Sequence, residues 1–310
     1  MSSATAEKKW IAVSGASGFV GQRLCQTLVQ KGYGVYALGR DKTKLQKCFP
    51  PEHYPDIAAH DYSELAALRP YAVVNLAGEN IAQRRWSAAQ KQRLLDSRID
   101  VTQQLVSAAR QQWSTLQCFI SASAIGFYGD RGEAVLDERS NGGEGFSAEL
   151  CQRWEDCVDG LRCRSVIARL GVVLDRDRQQ GALAKMRPAF ALGLGTQFGN
   201  GQQWQAYIHR HDVVAALCFL IEQPQCSGIY NLVCPEPVRN REFSQQLAGA
   251  LHRPLFMRLP QAVARLLFGE MQELFFISQR VMPSALQVAG FDFHFASLDA
   301  LLEDCVKAPR

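Results

Sequence analysis

Three glycines spaced three residues apart, Gly15, Gly18 and Gly21, follow the apolar run Trp10-Ile11-Ala12-Val13 and lead into a helical pattern. That spacing suits a backbone that cradles a pyrophosphate. The first glycine permits a tight turn after a strand, the second removes a side chain that would block the phosphates, and the third lets a helix pack closely on the sheet. Free N–H groups of Ser17, Gly18, Phe19, Val20 and Gly21, with the positive helix end behind them, then face the anion. A second strand-like run, Val35-Tyr36-Ala37-Leu38, ends without the acidic residue that would hold a ribose 2′-hydroxyl. Gly39-Arg40 stands there instead. A guanidinium at that place suits a 2′-phosphate, which predicts NADP(H) rather than NAD. Lys44 and Lys47, just beyond, read as a solvated helix face.

A βαβ unit has to position these groups. Val20, Leu24, Leu28 and Val29 give the segment after the glycines an apolar stripe at helical spacing, and Gly32 closes it before the second strand. Strand-like segments recur near 10–14, 34–38, 57–60, 71–75, 116–121 and 164–170, alternating with helical patterns near 19–31, 62–68, 87–112 and 147–160. This alternation predicts an α/β fold of the Rossmann type, a doubly wound parallel sheet covered by helices on both faces. Between a strand and a helix lies the glycine-rich, acidic stretch Gly129 to Gly145, long enough to be a functional or mobile loop.

After residue 174 the pattern changes. A helical piece, Ala182 to Leu192, runs into the glycine-rich segment Gly193 to Gly201, which reads as a substrate loop outside the main sheet. Asp212, before the apolar run Val213 to Ile221, is the expected N-cap of a helix. Residues 229–233 suggest one more strand, and the chain from Pro235 onward is mostly helical in pattern. The apolar stretch Leu259 to Ser278 is broken by Arg265, Glu270 and Glu273, so a packed core helix or helix pair is expected there rather than a membrane span or subunit contact. Residues 1–174 with 206–233 are assigned to an NADP-binding domain, and 175–205 with 234–310 to a smaller, mainly helical domain on the substrate side.

Composition narrows the function classes. Of 310 residues, 47% are hydrophobic and 21% charged, with a formal charge of +4, the balance of an ordinary globular protein. No basic block or aromatic–basic interleaving supports a nucleic-acid surface, and no apolar run reaches membrane-spanning length. The ten cysteines form no CxxC pair and no metal-ligand spacing, so they read as reduced thiols in a cytoplasm.

In this order the segments resemble the extended short-chain dehydrogenase/epimerase superfamily, and within it the atypical epimerase-family proteins of the YfcH type. The resemblance runs almost end to end. It rests on the Gly15/Gly18/Gly21 loop, Asn75 to Ala82, Arg84-Arg85-Trp86, Ser97-Arg98, Ser123 to Asp130, Arg169 to Leu174, Trp204 to Asp212, Pro235 to Val238, and Gly290-Phe291. It implies a Rossmann domain with a smaller helical carboxy-terminal domain closing over the cofactor cleft, and NADP(H) binding that includes Leu76, Ala77 and Gly78. Typical members carry a Tyr and, four residues later, a Lys that lowers its pKa. This chain has Phe146 and Leu150 there, so the usual acid/base assistance to hydride transfer is missing.

Two hydroxyls are the candidate catalytic replacements. Ser123 follows the fifth strand where typical members keep a Ser or Thr on the substrate oxygen, and Tyr128 is either a substitute acid or a packed aromatic with a satisfied hydroxyl. Arg98 falls within the apolar stripe Leu94, Leu95, Val101, Leu105 and Val106, where it either anchors an anionic or carbonyl substrate, snorkels to solvent, or pairs with Glu79. Glu79, Arg98, Trp204 and His209 are the candidate substrate contacts. The expected function is an NADP(H)-dependent oxidoreductase or epimerase-like enzyme acting on a small polar metabolite. Loss of the Tyr/Lys pair leaves the alternative of a non-catalytic NADP(H) sensor, and a homodimer is the assembly left open.

Overall fold

The structure, a computed structural model, describes residues 8–306. Seven strands form one sheet: β1 Trp10–Ser14, β2 Gly34–Leu38, β3 Ile57–His60, β4 Ala72–Asn75, β5 Cys118–Ala124, β6 Arg164–Leu170 and β7 Gly228–Leu232. Their order is β7-β6-β5-β4-β1-β2-β3, and every neighbouring pair is parallel. A parallel sheet needs cover on both faces, which is why its strands are unbroken apolar runs; Ile11, Ala12 and Val13 are all fully buried.

The cover comes from helices α1 Phe19–Gln30, α2 Lys42–Cys48, α3 Ala88–Gln111, α4 Phe146–Glu155 and α6 Arg210–Glu222, while α5 Gly181–Ala191, α7 Asn240–Ala250 and α8 Gln261–Phe268 lie beyond the sheet. On one face Leu24 and Leu28 of α1 and Leu217 and Leu220 of α6 pack on Ile11, Val13, Val74 and Ile120. On the other, Leu105 and Val106 of α3 pack with Trp113 on Ala12, Val73 and Phe119. Strand order reverses between β1 and β4, where Ser14 pairs with Asn75, so a crevice opens at the carboxyl ends of those two strands. Beyond the sheet a separate cluster of Leu174, Phe190, Tyr207, Phe243, Leu247, Leu301 and Leu302 supports the smaller carboxy-terminal region. No helix among the described residues is long and apolar enough to cross a membrane.

Several local expectations are corrected by tertiary contacts. The fifth strand starts later and runs further, to Ala124, because β6 pairs along its whole length. Residues 62–67 form a 3-10 helix, and the fourth long helix ends at Glu155 before a short 3-10 turn. The Gly129–Gly145 loop is pinned by a two-residue strand, Val135–Leu136, paired in parallel with Arg280–Val281. The glycine-rich 193–201 segment likewise holds a strand, Thr196–Phe198, paired with Met257–Leu259. The expected core helix after residue 259 is a surface helix: in α8 only Ala264 is buried, while Val263, Leu266 and Leu267 are exposed.

Asp212 is not the N-cap of α6. His209 takes that place, its Nδ1 accepting from His211 N at 3.1 Å. The Asp212 carboxylate, 1% exposed, instead accepts from His294 N at 3.1 Å and Phe295 N at 2.9 Å, fastening the carboxy-terminal tail to the sheet-covering helix. Asp212→Ala is expected to lower stability by about 2–4 kcal/mol, because two buried main-chain donors lose a charged acceptor. Urea unfolding measures it; a loss below about 0.5 kcal/mol would show that the tail docks without this carboxylate.

Candidate functional site

The glycine turn at the end of β1 has the shape that a pyrophosphate needs. Gly15 has φ +72°, and a Cβ there would lie 2.6 Å from the Leu76 carbonyl oxygen, so no larger residue fits between the ends of β1 and β4. At Gly21 a Cβ would lie 2.2 Å from the Gly15 carbonyl oxygen. Gly18 is the N-cap of α1, and no side chain caps the helix, which leaves the N–H groups of Phe19, Val20 and Gly21 without intrahelical partners. The Gly18 N–H is not one of the free donors expected from the sequence, because it closes the turn on Gly15 O at 2.9 Å. Leu76, Ala77 and Gly78 leave β4 beside this turn, held by a bond of 3.2 Å from Ala77 N to Asn75 Oδ1.

Arg40 stands at the end of β2, exposed, with no side-chain hydrogen bond or ion pair among the described residues. Its neighbours are engaged: Asp41 caps α2 by accepting from Lys44 N at 2.9 Å, and Lys42 pairs with Glu64 at 2.8 Å. Burial pushes the nearby Tyr62 phenol up, and its bond to Ser14 Oγ and the Arg40 charge oppose that shift, which sets Arg40 beside the β1 end. An uncompensated guanidinium next to a phosphate cradle fits a 2′-phosphate. Sequence reasoning passed over Arg210, which braces the same turn. It forms a bidentate pair with Asp175 at 2.9 and 3.0 Å, donates to Phe19 O at 3.3 Å, and lies 4.5 Å from the Phe19 ring centre.

Past β4 the loop is fastened to α3 and α4 through one buried hydroxyl. Thr102 Oγ1 accepts from Asn75 Nδ2 at 2.8 Å and from Trp154 Nε1 at 2.9 Å, and donates to Arg98 O at 2.7 Å. The Arg98 guanidinium reaches the loop, donating to Leu94 O at 3.0 Å and Glu79 O at 2.9 Å. Its partner is thus the Glu79 carbonyl rather than the carboxylate, which accepts from Gln90 Nε2 at 2.9 Å. Both groups support the loop, and Arg98 keeps a buried Nε without a partner.

Where a Tyr/Lys pair would stand, the wall is apolar. Phe146 and Leu150 are buried with Trp86, whose ring meets Phe146 edge-on at 4.9 Å, and Ile81 and Ala124 pack against them. Lys91 lies 5.0 Å from the Phe146 ring centre but is ion-paired with Glu270. The N-terminus of α4, preceded by Gly145, is capped from the carboxy-terminal region: Glu273 accepts from Phe146 N at 3.3 Å and Ser147 N at 3.0 Å.

Neither candidate catalytic hydroxyl is free. Ser123 Oγ donates to Glu155 Oε1 at 2.5 Å, on the α4 side of the sheet. Glu155 holds Arg169 through bonds of 2.9 and 2.7 Å, and Arg169 donates to the Tyr128 hydroxyl at 3.0 Å. Tyr128, fully buried, donates in turn to Asn231 Oδ1 at 2.8 Å. Burial pushes the Tyr128 phenol above its ordinary value, with Arg169 pulling only part of the way back. Tyr128 is therefore a packed aromatic with a satisfied hydroxyl, and Ser123 belongs to the same network.

Two expected substrate contacts, His209 and Trp204, have partners within the protein. His209 is buried, caps α6, and packs 4.0 Å from the Phe295 ring, and burial lowers its pKa against the opposing pull of Asp175, Asp304 and Asp212. It is a structural cap. Trp204 lies at the edge of the Gly129–Gly145 loop, with its Nε1 donating to Glu133 Oε2 at 2.9 Å. The network that displaced the catalytic candidates is itself testable. Glu155→Gln leaves the Arg169 cation buried without its counter-ion and should cost about 3–5 kcal/mol of stability, whereas Ser123→Ala should cost about 1 kcal/mol. Denaturant titration of both variants checks the ratio, and equal small losses would mean that the pair is not the hub.

The chain matches the NAD dependent epimerase/dehydratase family over residues 11–232, and a domain of unknown function, DUF1731, over residues 259–305. It is 39% identical over 296 residues to an epimerase family protein of Mycobacterium tuberculosis, covering 94% of this chain and 96% of that one. Its fold superposes on the crystal structure of human epimerase family protein SDR39U1 (isoform 2) with NADPH, with TM-score 0.86 and 32% identity, covering 96% of this chain and 99% of the other. UDP-glucuronic acid 4-epimerase from Bacillus cereus, 19% identical, shares the fold with TM-score 0.76 over 96% of this chain and 98% of that one. The glycine cradle, the parallel sheet and these matches together place the chain in the NAD dependent epimerase/dehydratase family, as an atypical extended short-chain dehydrogenase/reductase.

Proposed function

We propose that the chain is an NADP(H)-dependent oxidoreductase acting on a small polar metabolite, and that it works without a side-chain acid at the position where its relatives in the wider superfamily keep a tyrosine. The observation that carries the cofactor is the unpaired Arg40 guanidinium beside the glycine cradle. The human relative crystallised with NADPH supports the same assignment. When bound, NADP(H) supplies or accepts a hydride. The chain's own part is to bind and orient. The free N–H groups of α1 and the Arg40 cation hold the phosphates, while Phe146, Trp86 and Ala124 offer an apolar wall that excludes water. Ser123 and Tyr128 are committed to Glu155, Arg169 and Asn231, so any proton has to come from solvent or from the substrate itself. That same commitment favours a second reading, a sensor that binds NADP(H) without turnover.

Replacing Arg40 by Ala is expected to weaken NADPH binding by about 10- to 100-fold and leave NADH binding unchanged, as titration calorimetry would read. Equal affinity of the parent protein for the two cofactors would overturn the 2′-phosphate assignment. NADPH oxidation across aldehydes, ketones, keto-sugars and quinones separates the enzyme from the sensor. Quinones, which accept a hydride without a protein acid, are expected to be reduced at least about 10²-fold faster than the carbonyl compounds. Turnover of none of them, with cofactor binding instead altering association with another protein, would favour the sensor.

A further inference from the structure

Among the described residues two arginines carry a buried Nε with no partner, Arg98 and Arg280. Arg98 has two carbonyl partners for its remaining donors. The Arg280 side chain has no hydrogen bond or ion pair among the described residues; its guanidinium carbon lies 4.6 Å from the centre of the Trp204 ring, and its charge is felt by the Glu133 carboxylate. A half-buried cation left in that state is costly unless something else meets it.

Its surroundings are built to hold it in place. Gln279 donates from Nε2 to Ile125 O at 2.8 Å and Gly129 O at 3.0 Å, and Ser278 N donates to Asp130 Oδ1 at 3.1 Å. These bonds fix the segment before Arg280 against the loop leaving β5, at the carboxyl edge of the sheet where ligands of this architecture bind. Trp204 is tied to the same segment by its N–H on Ser278 Oγ at 3.0 Å and by its carbonyl, which accepts from Gln279 N at 2.9 Å. Arg239, 4.4 Å from the Trp204 ring centre, is neutralised by Glu133 through bonds of 3.1 and 2.9 Å. Glu133 also accepts from Trp204 Nε1, so this carboxylate is shared by two donors other than Arg280. Asp130 and Glu242 face main-chain N–H groups, of Ser278 and Gly132 and of Arg239 respectively. The Arg280 guanidinium is thus left without a hydrogen-bonded carboxylate, placed beside an aromatic ring.

We infer that Arg280, lying over Trp204 at the carboxyl edge of the sheet, is an oxyanion subsite that takes a phosphate or carboxylate group of the substrate. The inference rests on the reading of the cleft as a small-molecule site and names the substrate class, an anionic metabolite. A guanidinium whose two terminal nitrogens make no bond among the described residues grips such a group by two parallel bonds, which fixes direction as well as position.

Phenyl phosphate and benzoate, with neutral benzamide as control, are titrated calorimetrically into protein saturated with NADP+, so that the glycine cradle is already filled. The parent is expected to bind at least one of the anions and not benzamide, and Arg280→Gln to weaken that binding at least about tenfold with NADP+ affinity unchanged. Because Arg280 makes no hydrogen bond in the protein, its variant should melt within a few degrees of the parent, and Arg280→Lys should recover part of the anion affinity. Identical anion binding in parent and Arg280→Gln, or none in the parent at tens of millimolar, overturns the subsite. Failure of NADP+ to bind would instead sink the cofactor assignment, and the same titration on the unliganded protein would still decide Arg280.

Discussion

A guanidinium 1% exposed at the carboxyl end of a sheet strand has to be neutralised, and the edge around Arg169 is arranged to meet that demand. Its counter-ion, Glu155, sits at the last turn of α4, so the pair fixes where that helix ends against β6. Ser123 on β5 adds a donor to the carboxylate, and Tyr128 and Asn231 extend the chain of bonds to β7. Four successive segments of the edge are thereby locked together. Such a network is strong when complete and costly when broken, because Arg169, Tyr128, Ser123 and Asn231 are all buried. It also engages both hydroxyls that the sequence offered as candidate acids.

The remaining charge follows a different logic. Arg40 and Arg280 stand at two separated places on the carboxyl edge, one after β2 and one against the loop after β5, and neither side chain has a hydrogen bond or ion pair among the described residues. Arg169, Arg210 and Arg239, by contrast, are each matched by a carboxylate. Arg98 is held in a third way, by the carbonyls of Leu94 and Glu79 and no carboxylate.

The smaller carboxy-terminal region takes part in the same edge rather than merely covering it. Glu273 caps α4 directly ahead of the apolar wall, Arg85 donates to Leu266 O at 2.8 Å, and Lys185 donates to Ala82 O at 3.1 Å. The loop between β4 and α3 is therefore held from both sides. The exposed apolar residues of α8 lie on the outer side of this clamp, where sequence patterning alone read a buried helix.

Local chemistry was enough to read the sheet and the cofactor side. Apolar runs bounded by glycine, the 3.6-residue stripe of α1 and the Gly15/Gly18/Gly21 spacing are short-range signals, and the strands and cradle stand where they point. The lack of an acid at Phe146 and Leu150 was equally plain, since residue type settles it. What one side chain does when several could accept the same proton depends on long-range partners, and there the tertiary structure decided. Asp212 met main-chain groups 82 and 83 residues away instead of capping its own helix, Tyr128 met Asn231 at a separation of 103, and Arg98 met a carbonyl rather than a carboxylate. Segments far apart in the chain supply those partners, and no local pattern encodes which donor arrives first.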